Sequence, residues 1–334
     1  MTKNSFLKRR SILVVTLIVL LAVNFYVANH YTIVAPGVTL NLKEIVRVEN
    51  GIDDEKGVFF LTTVSTRPSN IPLLIYSALH PHVSVEKKER LVPPGMDMKK
   101  YREYMTQWME ESQKIAEVVA LRRAGYKPLI MGKGARVVEV MENSPARGII
   151  MPDDIITKVD GIKVNLAEEV VNIVTRHQVG DAVDIEIERN GKRIPLKVTT
   201  VESKTQKGKP MIGVLITTLD WKPVLPVKID INTGDIGGPS AGLMFTLEIL
   251  NQLTPGDLTK GRKIAGTGTI SLDEQVGEIG GVAQKVAAAY RDGAEIFFVP
   301  EENARDAFLA ARKLDIEIVP VKTLKDALDY LEKL

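Results

Sequence analysis

The stretch GDIGGPSAGLMF, residues 234–245, places a single serine between a proline and an apolar run of helical character. A serine at the start of a helix is commonly a cap, because its hydroxyl accepts hydrogen bonds from backbone N–H groups that the first turn leaves unpaired. A serine that follows a glycine-rich turn can also serve as an exposed nucleophile. The residues around Ser240 leave both interpretations open.

The residues on either side of this stretch alternate strand-like and helix-like patterns. Helices are predicted after Ser240, after Gly281, through AFLAARKL and after a Thr323 cap. This alternation predicts an α/β domain over residues 204–334 with part of its sheet parallel. The strand-like segments are MIGVLITTL, VLPVKIDIN, KIAGTGTI, AEIFFVP and IEIVPV.

A serine nucleophile needs a base within hydrogen-bond reach. A lysine can be that base only where burial removes its charge, since a solvated lysine has a pKa near 10.4. Lys285, in GEIGGVAQKVAAAYRDG (277–293), lies among small apolar residues. This pattern by itself favours a lysine that extends into solvent. All the histidines lie upstream, in a predicted anchor, loop or second domain: His30, His80, His82 and His177.

Three motifs resemble the proteolytic domain of Lon proteases, which use a Ser-Lys dyad: GPSAG (238–242), AGTGTI (265–270) and GEIGGVAQKVAAA (277–289). The resemblance implies that Ser240 is the nucleophile, Lys285 the base and Thr267 a residue that orients the amine. The sequence departs from the family pattern at Gly237, where an acidic residue is usual three positions before the serine. A second departure leaves Lys285 as the one lysine of its motif.

The residues before Ser240 are expected to support the reaction. Backbone N–H groups around Gly237, Gly238, Pro239 and Ser240 are predicted to stabilise an oxyanion at a helix start. Glycines at 237 and 238 also suit a tight turn that a substrate backbone can approach.

Residues 128–203 resemble a bacterial PDZ domain. The resemblance is carried by Ser144-Pro145-Ala146, by PDDII (152–156) and by VDG (159–161), and Asn190-Gly191 predicts a hairpin. A PDZ domain implies a groove in which an extended peptide adds as a strand. The loop MGKG (131–134) matches the expected carboxylate-binding loop only loosely, so a purely positioning role stays open.

The amino terminus contains the apolar run ILVVTLIVLLAVNFYVA, residues 12–28. At ~1.5 Å per residue this run is slightly short for a bilayer core, and we expect the span to extend to Val34. Lysines and arginines at 3, 8, 9 and 10 precede it, and residues 29–40 contain none. The positive-inside rule therefore predicts a cytoplasmic amino terminus and an extracytoplasmic remainder. A cleaved signal peptide fits less well, because Tyr26 would occupy the −3 position before Ala28.

Residues 35–127 connect the predicted span to the PDZ-like block. GVFFLTTVST (57–66) is expected to be an early strand of the catalytic domain, with the PDZ domain inserted after it. A helix is predicted over residues 99–124, with Gly125 as its stop signal. Its aromatic and methionine residues are predicted to pack rather than to bind a ligand.

Composition excludes several classes of function. The chain of 334 residues has a net charge of +2, which gives no indication of a nucleic-acid partner. It has no cysteine, and therefore no disulfide, thiolate nucleophile or cysteine-ligated metal; His80 and His82 are predicted to lie in a loop rather than a metal site. No G-x-x-x-x-G-K-[ST] motif occurs, and GDLTKGRK (256–263) has the wrong order, so no cofactor is expected.

The whole arrangement resembles the membrane-anchored PDZ–Lon proteases of bacteria. The expected organisation is a cytoplasmic segment (1–10), an anchor (11–34), a connecting region (35–127), PDZ (128–203) and an α/β (α+β) Lon domain (204–334). The implied function is ATP-independent serine endopeptidase activity, outside the cytoplasmic membrane, on unfolded or membrane-proximal proteins selected with the help of PDZ. The implied partners are protein substrates, the bilayer and further copies of the chain in a homo-oligomer. A non-catalytic membrane adaptor and a non-proteolytic amide hydrolase stay open as alternatives.

Overall fold

The computed structural model of the chain describes residues 3–53, 56–92, 96, 98–203 and 208–334. Two units emerge. The first combines residues 1–125 with 227–334, and the second consists of residues 126–226. The second unit is thus inserted in the sequence of the first.

The amino-terminal segment of the first unit begins with a long helix and continues into strands. Its elements are α1 (Lys3–His30), β1 (Tyr31–Asn41), α2 (Leu42–Ile45), β2 (Val46–Val48), β3 (Val58–Pro68), α3 (Ile71–Leu79), β4 (Ser84–Lys87), α4 (Lys88–Leu91) and α5 (Met98–Arg123).

The second unit is built mainly from strands. Its elements are β5 (Leu129–Met131), β6 (Ala135–Val140), β7 (Ile155–Val159), β8 (Ile162–Lys163), α6 (Ala167–Val174), β9 (Ala182–Arg189), β10 (Lys192–Thr199), β11 (Val201–Glu202), β12 (Pro210–Met211), β13 (Val214–Thr218) and β14 (Lys222–Val224).

The carboxy-terminal segment returns to the first unit and alternates strands with helices. Its elements are β15 (Ile229–Ile231), α7 (Gly242–Leu253), β16 (Lys263–Gly266), β17 (Thr269–Ile270), β18 (Val276–Gly277), α8 (Val282–Arg291), β19 (Ile296–Pro300), a 3₁₀ turn (Glu301–Asn303), α9 (Ala304–Ala311), β20 (Glu317–Val321) and α10 (Leu324–Leu331).

The first unit contains a mixed sheet in the order β20-β19-β16-β3-β1-β4. The four strands from β20 to β3 are parallel, and β1 is antiparallel to both β3 and β4. The segment GVFFLTTVST therefore pairs with the carboxy-terminal strands as β3, although the whole second unit separates them in sequence.

Helices α7 and α8 cover opposite faces of this sheet. Ala265 of β16 packs with Val282 and Val286 of α8, whereas the adjacent Gly266 faces Met244 of α7. Neighbouring residues of a strand point to opposite faces, so the two helices approach β16 from different sides. The segments beyond the carboxyl end of β16 can consequently meet residues from both.

The second unit contains the sheet β10-β9-β7-β6-β13, with β8 paired to β7. Asn190 and Gly191 have φ angles of 52° and 73° and join β9 to β10, as the hairpin motif predicts. The segment MIGVLITTL was expected in the catalytic domain, but it supplies β13, which pairs with β6. The unit accordingly extends to Pro226 rather than ending at residue 203.

The amino-terminal helix is shorter at its carboxyl end than expected. α1 ends at His30, and the apolar stretch Ile12–His30 is long enough to cross a membrane. Residues 31–34 do not extend it, because they form the start of β1. Ile33 and Val34 are apolar for a different reason: they are buried in the first unit.

Candidate active site

Ser240 lies on the turn that leads into α7, just beyond the carboxyl end of β16. α7 begins at Gly242, its N-cap is Ala241, and no side chain caps it. The cap interpretation of Ser240 is therefore wrong. Its hydroxyl instead lies 2.7 Å from the Nζ atom of Lys285.

Lys285 is on the first turns of α8 and points into the protein. It is only 3% exposed, which corrects the expectation that the residue pattern alone gave, of a lysine extending into solvent. Burial lowers the pKa of Lys285 to about 7, because a charged ammonium loses its hydration there. With the free-lysine pKa of ~10.4, roughly 1 in 2,500 amines would be neutral at pH 7; burial makes the neutral form of Lys285 far more populated than that.

Thr267 completes the arrangement. Its hydroxyl donates to the Ser240 carbonyl at 2.9 Å and accepts from Lys285 Nζ at 2.9 Å. The single hydroxyl proton of Thr267 is donated to the Ser240 carbonyl. The Thr267 hydroxyl oxygen can therefore only accept a hydrogen bond, which comes from an N–H of the Lys285 amine. This fixes one amine N–H on Thr267 and lets the lone pair of the neutral amine face the Ser240 hydroxyl.

The backbone of the serine turn is held from two sides. On one side, the N–H of Gly268 donates to the Ser240 carbonyl at 2.8 Å. On the other, helix α5 contributes two contacts: the Met105 carbonyl accepts from Gly238 N–H at 2.8 Å, and the Ser112 hydroxyl donates to the Pro239 carbonyl at 2.9 Å. The turn therefore has little freedom to rotate.

Glycine is required at both positions before the proline. A Cβ atom on Gly237 would lie 2.8 Å from Cβ of Met105, and Gly238 has φ of +98°, which side chains disfavour. Because the N–H of Gly238 is already bonded and Pro239 has none, the predicted oxyanion donors narrow to the N–H groups of Gly237 and Ser240. Among the described residues, neither of these two groups has an acceptor.

The role of α5 in the site could not be predicted from its own sequence. The helix forms close to its predicted bounds, and its apolar face packs as expected, with Met109 and Ala116 buried. Ser112 and Met105 lie on the same face as these residues. A buried serine within an apolar stripe was the available signal, but its partner is 127 positions away in the sequence.

No metal site accompanies this arrangement in the part of the chain that the structure describes. No group of three or more His, Asp or Glu residues there could hold a metal ion. His80 caps the end of α3 and its ring stacks on Tyr76.

We predict that the reactivity of Ser240 follows the charge of Lys285. The neutral amine is the proton acceptor, so the rate of covalent labelling by a fluorophosphonate should rise with pH and reach half its maximum near pH 7. K285M and K285R should not label at any pH between 5 and 9, because neither side chain can accept the proton. Labelling of either variant at the wild-type rate would contradict the assignment.

We predict that the Thr267 hydroxyl is needed to aim the amine. T267V keeps the volume but removes the acceptor for the lysine N–H, and should slow labelling of Ser240 by about 10- to 100-fold, equivalent to ~1.4–3 kcal/mol. T267S retains the hydroxyl and should stay within about threefold of the wild type. Equal rates for T267V and the wild type would show that the contact is only structural.

Comparisons with known proteins agree with this geometry. Residues 225–332 match the model of the Lon protease (S16) C-terminal proteolytic domain, and residues 96–200 match a PDZ domain model. The chain is 39% identical over 112 residues to a Lon protease of Mycoplasma pneumoniae and 34% identical over 119 residues to one of Trichlorobacter lovleyi. These alignments cover 31% and 34% of this chain but only 14% of each relative.

A solved PDZ domain of an SdrC-like protein from Listeria innocua is also similar. It is 31% identical, and the match covers 25% of this chain and 92% of that chain with a TM-score of 0.24. The PDZ model covers α5 of the first unit and residues 126–200 of the inserted unit, and the Lon model covers the carboxy-terminal segment that holds Ser240 and Lys285. The chain therefore combines a region of the PDZ type with a region of the Lon protease C-terminal proteolytic-domain type.

Proposed function

We propose that this protein is an endopeptidase in which Ser240 and Lys285 form the catalytic dyad. The observation that supports it most directly is the 2.7 Å contact between Ser240 Oγ and the Nζ atom of a buried lysine. A solvated lysine beside a serine would stay charged and could not accept a proton. The burial of Lys285 removes that obstacle.

The reaction divides into acylation and deacylation. In acylation, Ser240 Oγ attacks the peptide carbonyl carbon while its proton moves to Lys285 Nζ. The tetrahedral oxyanion is stabilised by the N–H groups of Gly237 and Ser240, where one donor contributes roughly 3 kcal/mol. Its collapse breaks the C–N bond, and Lys285 returns the proton to the leaving amine. In deacylation, Lys285 takes a proton from water, the resulting hydroxide attacks the ester, and the proton passes back to Ser240.

We further propose that the protein works at a membrane and without nucleotide. The apolar stretch Ile12–His30 of α1 would be the anchor, with the basic residues before it in the cytoplasm and the catalytic unit on the opposite side. No phosphate-binding G-x-x-x-x-G-K-[ST] motif is present in the sequence, which suits substrates that are already flexible or unfolded. Assembly into a homo-oligomer stays a prediction.

The protease assignment predicts that the full chain in detergent cleaves an unfolded protein such as β-casein in the absence of ATP. S240A and K285M should abolish cleavage, because each removes one partner of the proton transfer. K313M changes an exposed lysine on the surface of the catalytic unit and should retain full activity.

The same assay separates the alternatives. Cleavage by S240A and K285M at the wild-type rate would remove the dyad from the mechanism. Binding of β-casein without cleavage would support the membrane-adaptor alternative. Hydrolysis of small amides without cleavage of β-casein would support the amide-hydrolase alternative.

We propose that the PDZ unit selects substrates by adding them to β13. Its sheet has two outer strands, β10 and β13. β10 carries Pro195 and several lysines and arginines, features that discourage strand addition, whereas β13 carries neither. α6 lies beside β13, since Ala167 N–H donates to the Thr218 hydroxyl at 3.0 Å. A groove between this helix and this strand suits an extended peptide.

The MGKG loop does not contribute carboxylate-binding donors at two of its positions. The N–H groups of Lys133 and Gly134 already donate to the carbonyls of Leu219 and Asn165. Main-chain pairing along β13 is thus the better-supported means of holding a substrate.

A proline at Ile216 tests this. Leu219 N–H donates to Gly134, and N–H groups alternate in direction along a strand, so the N–H of Ile216 points to the open edge. I216P removes this N–H and also the packing of the Ile216 side chain against the core of the unit, so I216A, which loses the packing and keeps the N–H, is measured beside it. I216P should leave kcat for short peptides unchanged and raise the KM for unfolded proteins about fivefold over I216A, the equivalent of one hydrogen bond of ~1 kcal/mol.

R193P is the matched control. It removes an N–H from the outer side of the opposite edge strand, because Arg193 lies two residues before Pro195 in β10. Its KM should equal that of the wild type. An equal rise in KM for both variants, or none for I216P, would show that β13 is not the substrate edge.

A further inference from the structure

Helix α3 presents an apolar surface that nothing else in the described chain covers. Its nine residues, IPLLIYSAL, include no charged side chain, and none of them is buried. Ile75 is 61% exposed, Leu79 74% and Tyr76 43%. A surface helix of a water-soluble domain normally turns a polar face to solvent, and α3 has none.

The position of α3 relative to α1 places it at a defined depth. The side-chain oxygen of Asn24 accepts a hydrogen bond from the backbone N–H of Ile71 at 3.1 Å. Asn24 precedes the end of the apolar stretch at His30 by six residues, which is ~9 Å along a helix. The 19 residues of that stretch span ~28 Å, so nearly all of them are needed to cross a hydrocarbon core of ~30 Å. The start of α3 therefore lies below the plane in which the span ends.

The amino-terminal end of α3 needs no water. The first N–H groups of a helix are normally unpaired. Here Ile71 N–H donates to Asn24, Pro72 has no N–H, Leu73 N–H donates to the Asn70 side chain at 2.9 Å, and Leu74 N–H donates to the Asn70 carbonyl.

The carboxy-terminal end is satisfied in part. His80 Nδ1, in the tautomer protonated there, donates to the carbonyl of Tyr76 at 2.9 Å, and His80 N–H donates to the Ser77 carbonyl. The Ser77 hydroxyl donates to the carbonyl of Leu74 at 2.8 Å. A helix that enters a water-poor region must satisfy its own backbone, and α3 does so at its amino-terminal end.

We propose that α3 lies in the boundary between headgroups and acyl chains of the lipid leaflet facing the catalytic unit, where it buries Ile75, Tyr76 and Leu79 in lipid. Helices that lie in the plane of the interface bury their apolar side chains ~5–10 Å into the boundary between headgroups and acyl chains, which agrees with the depth that Asn24 sets. The stacked rings of Tyr76 and His80 suit the interface, where aromatic side chains with a polar atom are favoured.

This inference rests on the proposed membrane anchor and adds a second attachment to it. α1 ends at His30 and β1 begins at Tyr31, so no flexible linker separates the span from the sheet. With α3 also in the interface, the catalytic unit is held against the bilayer in one orientation. Its substrates are then restricted to segments that emerge close to the membrane.

The absence of native cysteines allows a direct test. Single cysteines are introduced in the full chain as I75C and L79C, labelled with a polarity-sensitive fluorophore and reconstituted in phosphatidylcholine–phosphatidylglycerol vesicles. L17C, exposed on α1, reports the anchor, and F308C, exposed on α9, reports the aqueous surface of the catalytic unit. Fluorophosphonate labelling of Ser240 in each variant verifies folding.

We expect brominated lipids to quench L17C, I75C and L79C strongly and F308C hardly at all, with blue-shifted emission at positions 75 and 79. Quenching of L17C with I75C and L79C behaving like F308C would overturn the proposal and leave the anchor intact. An unquenched L17C would overturn the anchor and this inference together. A blue shift at 75 and 79 that disappears when protein is diluted in excess lipid would identify a second copy as the occupant, and would also overturn the proposal.

Discussion

The chemistry of this protein depends on keeping water away from one amine. Among the residues that the structure describes, Lys285 has no carboxylate partner that would hold its charge, and burial is the cause that lowers its pKa. The helix that carries it packs against β1 and β3, which come from the opposite end of the chain. The strands nearest the amino terminus therefore help to bury the amine that we propose as the base.

The serine turn is defined by its neighbours more than by its own sequence. Gly268 and Thr267 hold the Ser240 carbonyl, while α5 holds the Gly238 N–H and the Pro239 carbonyl. α5 is also the last element before the chain enters the inserted unit at residue 126. The same helix thus fixes the backbone beside the nucleophile and leads into the PDZ unit.

The proposed membrane association and the catalytic fold share structural elements. β1 continues directly from α1 and forms part of the central sheet, and its Ile33 is fully buried there. In the proposed arrangement, the apolar character that begins at Ile12 serves two environments in succession, lipid and then protein core. α3, between β3 and β4, would extend the proposed lipid-facing surface beyond the span itself.

Local patterns in the sequence determined much of this protein. The alternation of strands and helices, the Asn190-Gly191 hairpin, the Thr323 cap and the extent of α5 depend on neighbouring residues, and the structure agrees with each. The three motifs that resemble Lon proteases also pointed to Ser240, Thr267 and Lys285, which the structure brings within hydrogen-bond distance of one another. Tertiary structure alone decided the features that depend on distant partners. The pattern around Lys285 favoured solvent because helix periodicity does not reveal which strands cover it. Residues 31–34 are apolar enough to continue the predicted membrane span but pair as a strand. β13 belongs to the inserted sheet because it pairs with β6. One N–H of the serine turn is bonded to the carbonyl of Met105 for the same reason. Pairing and burial are set by residues far away in the chain, and the free energy that these contacts contribute exceeds any local preference of a segment.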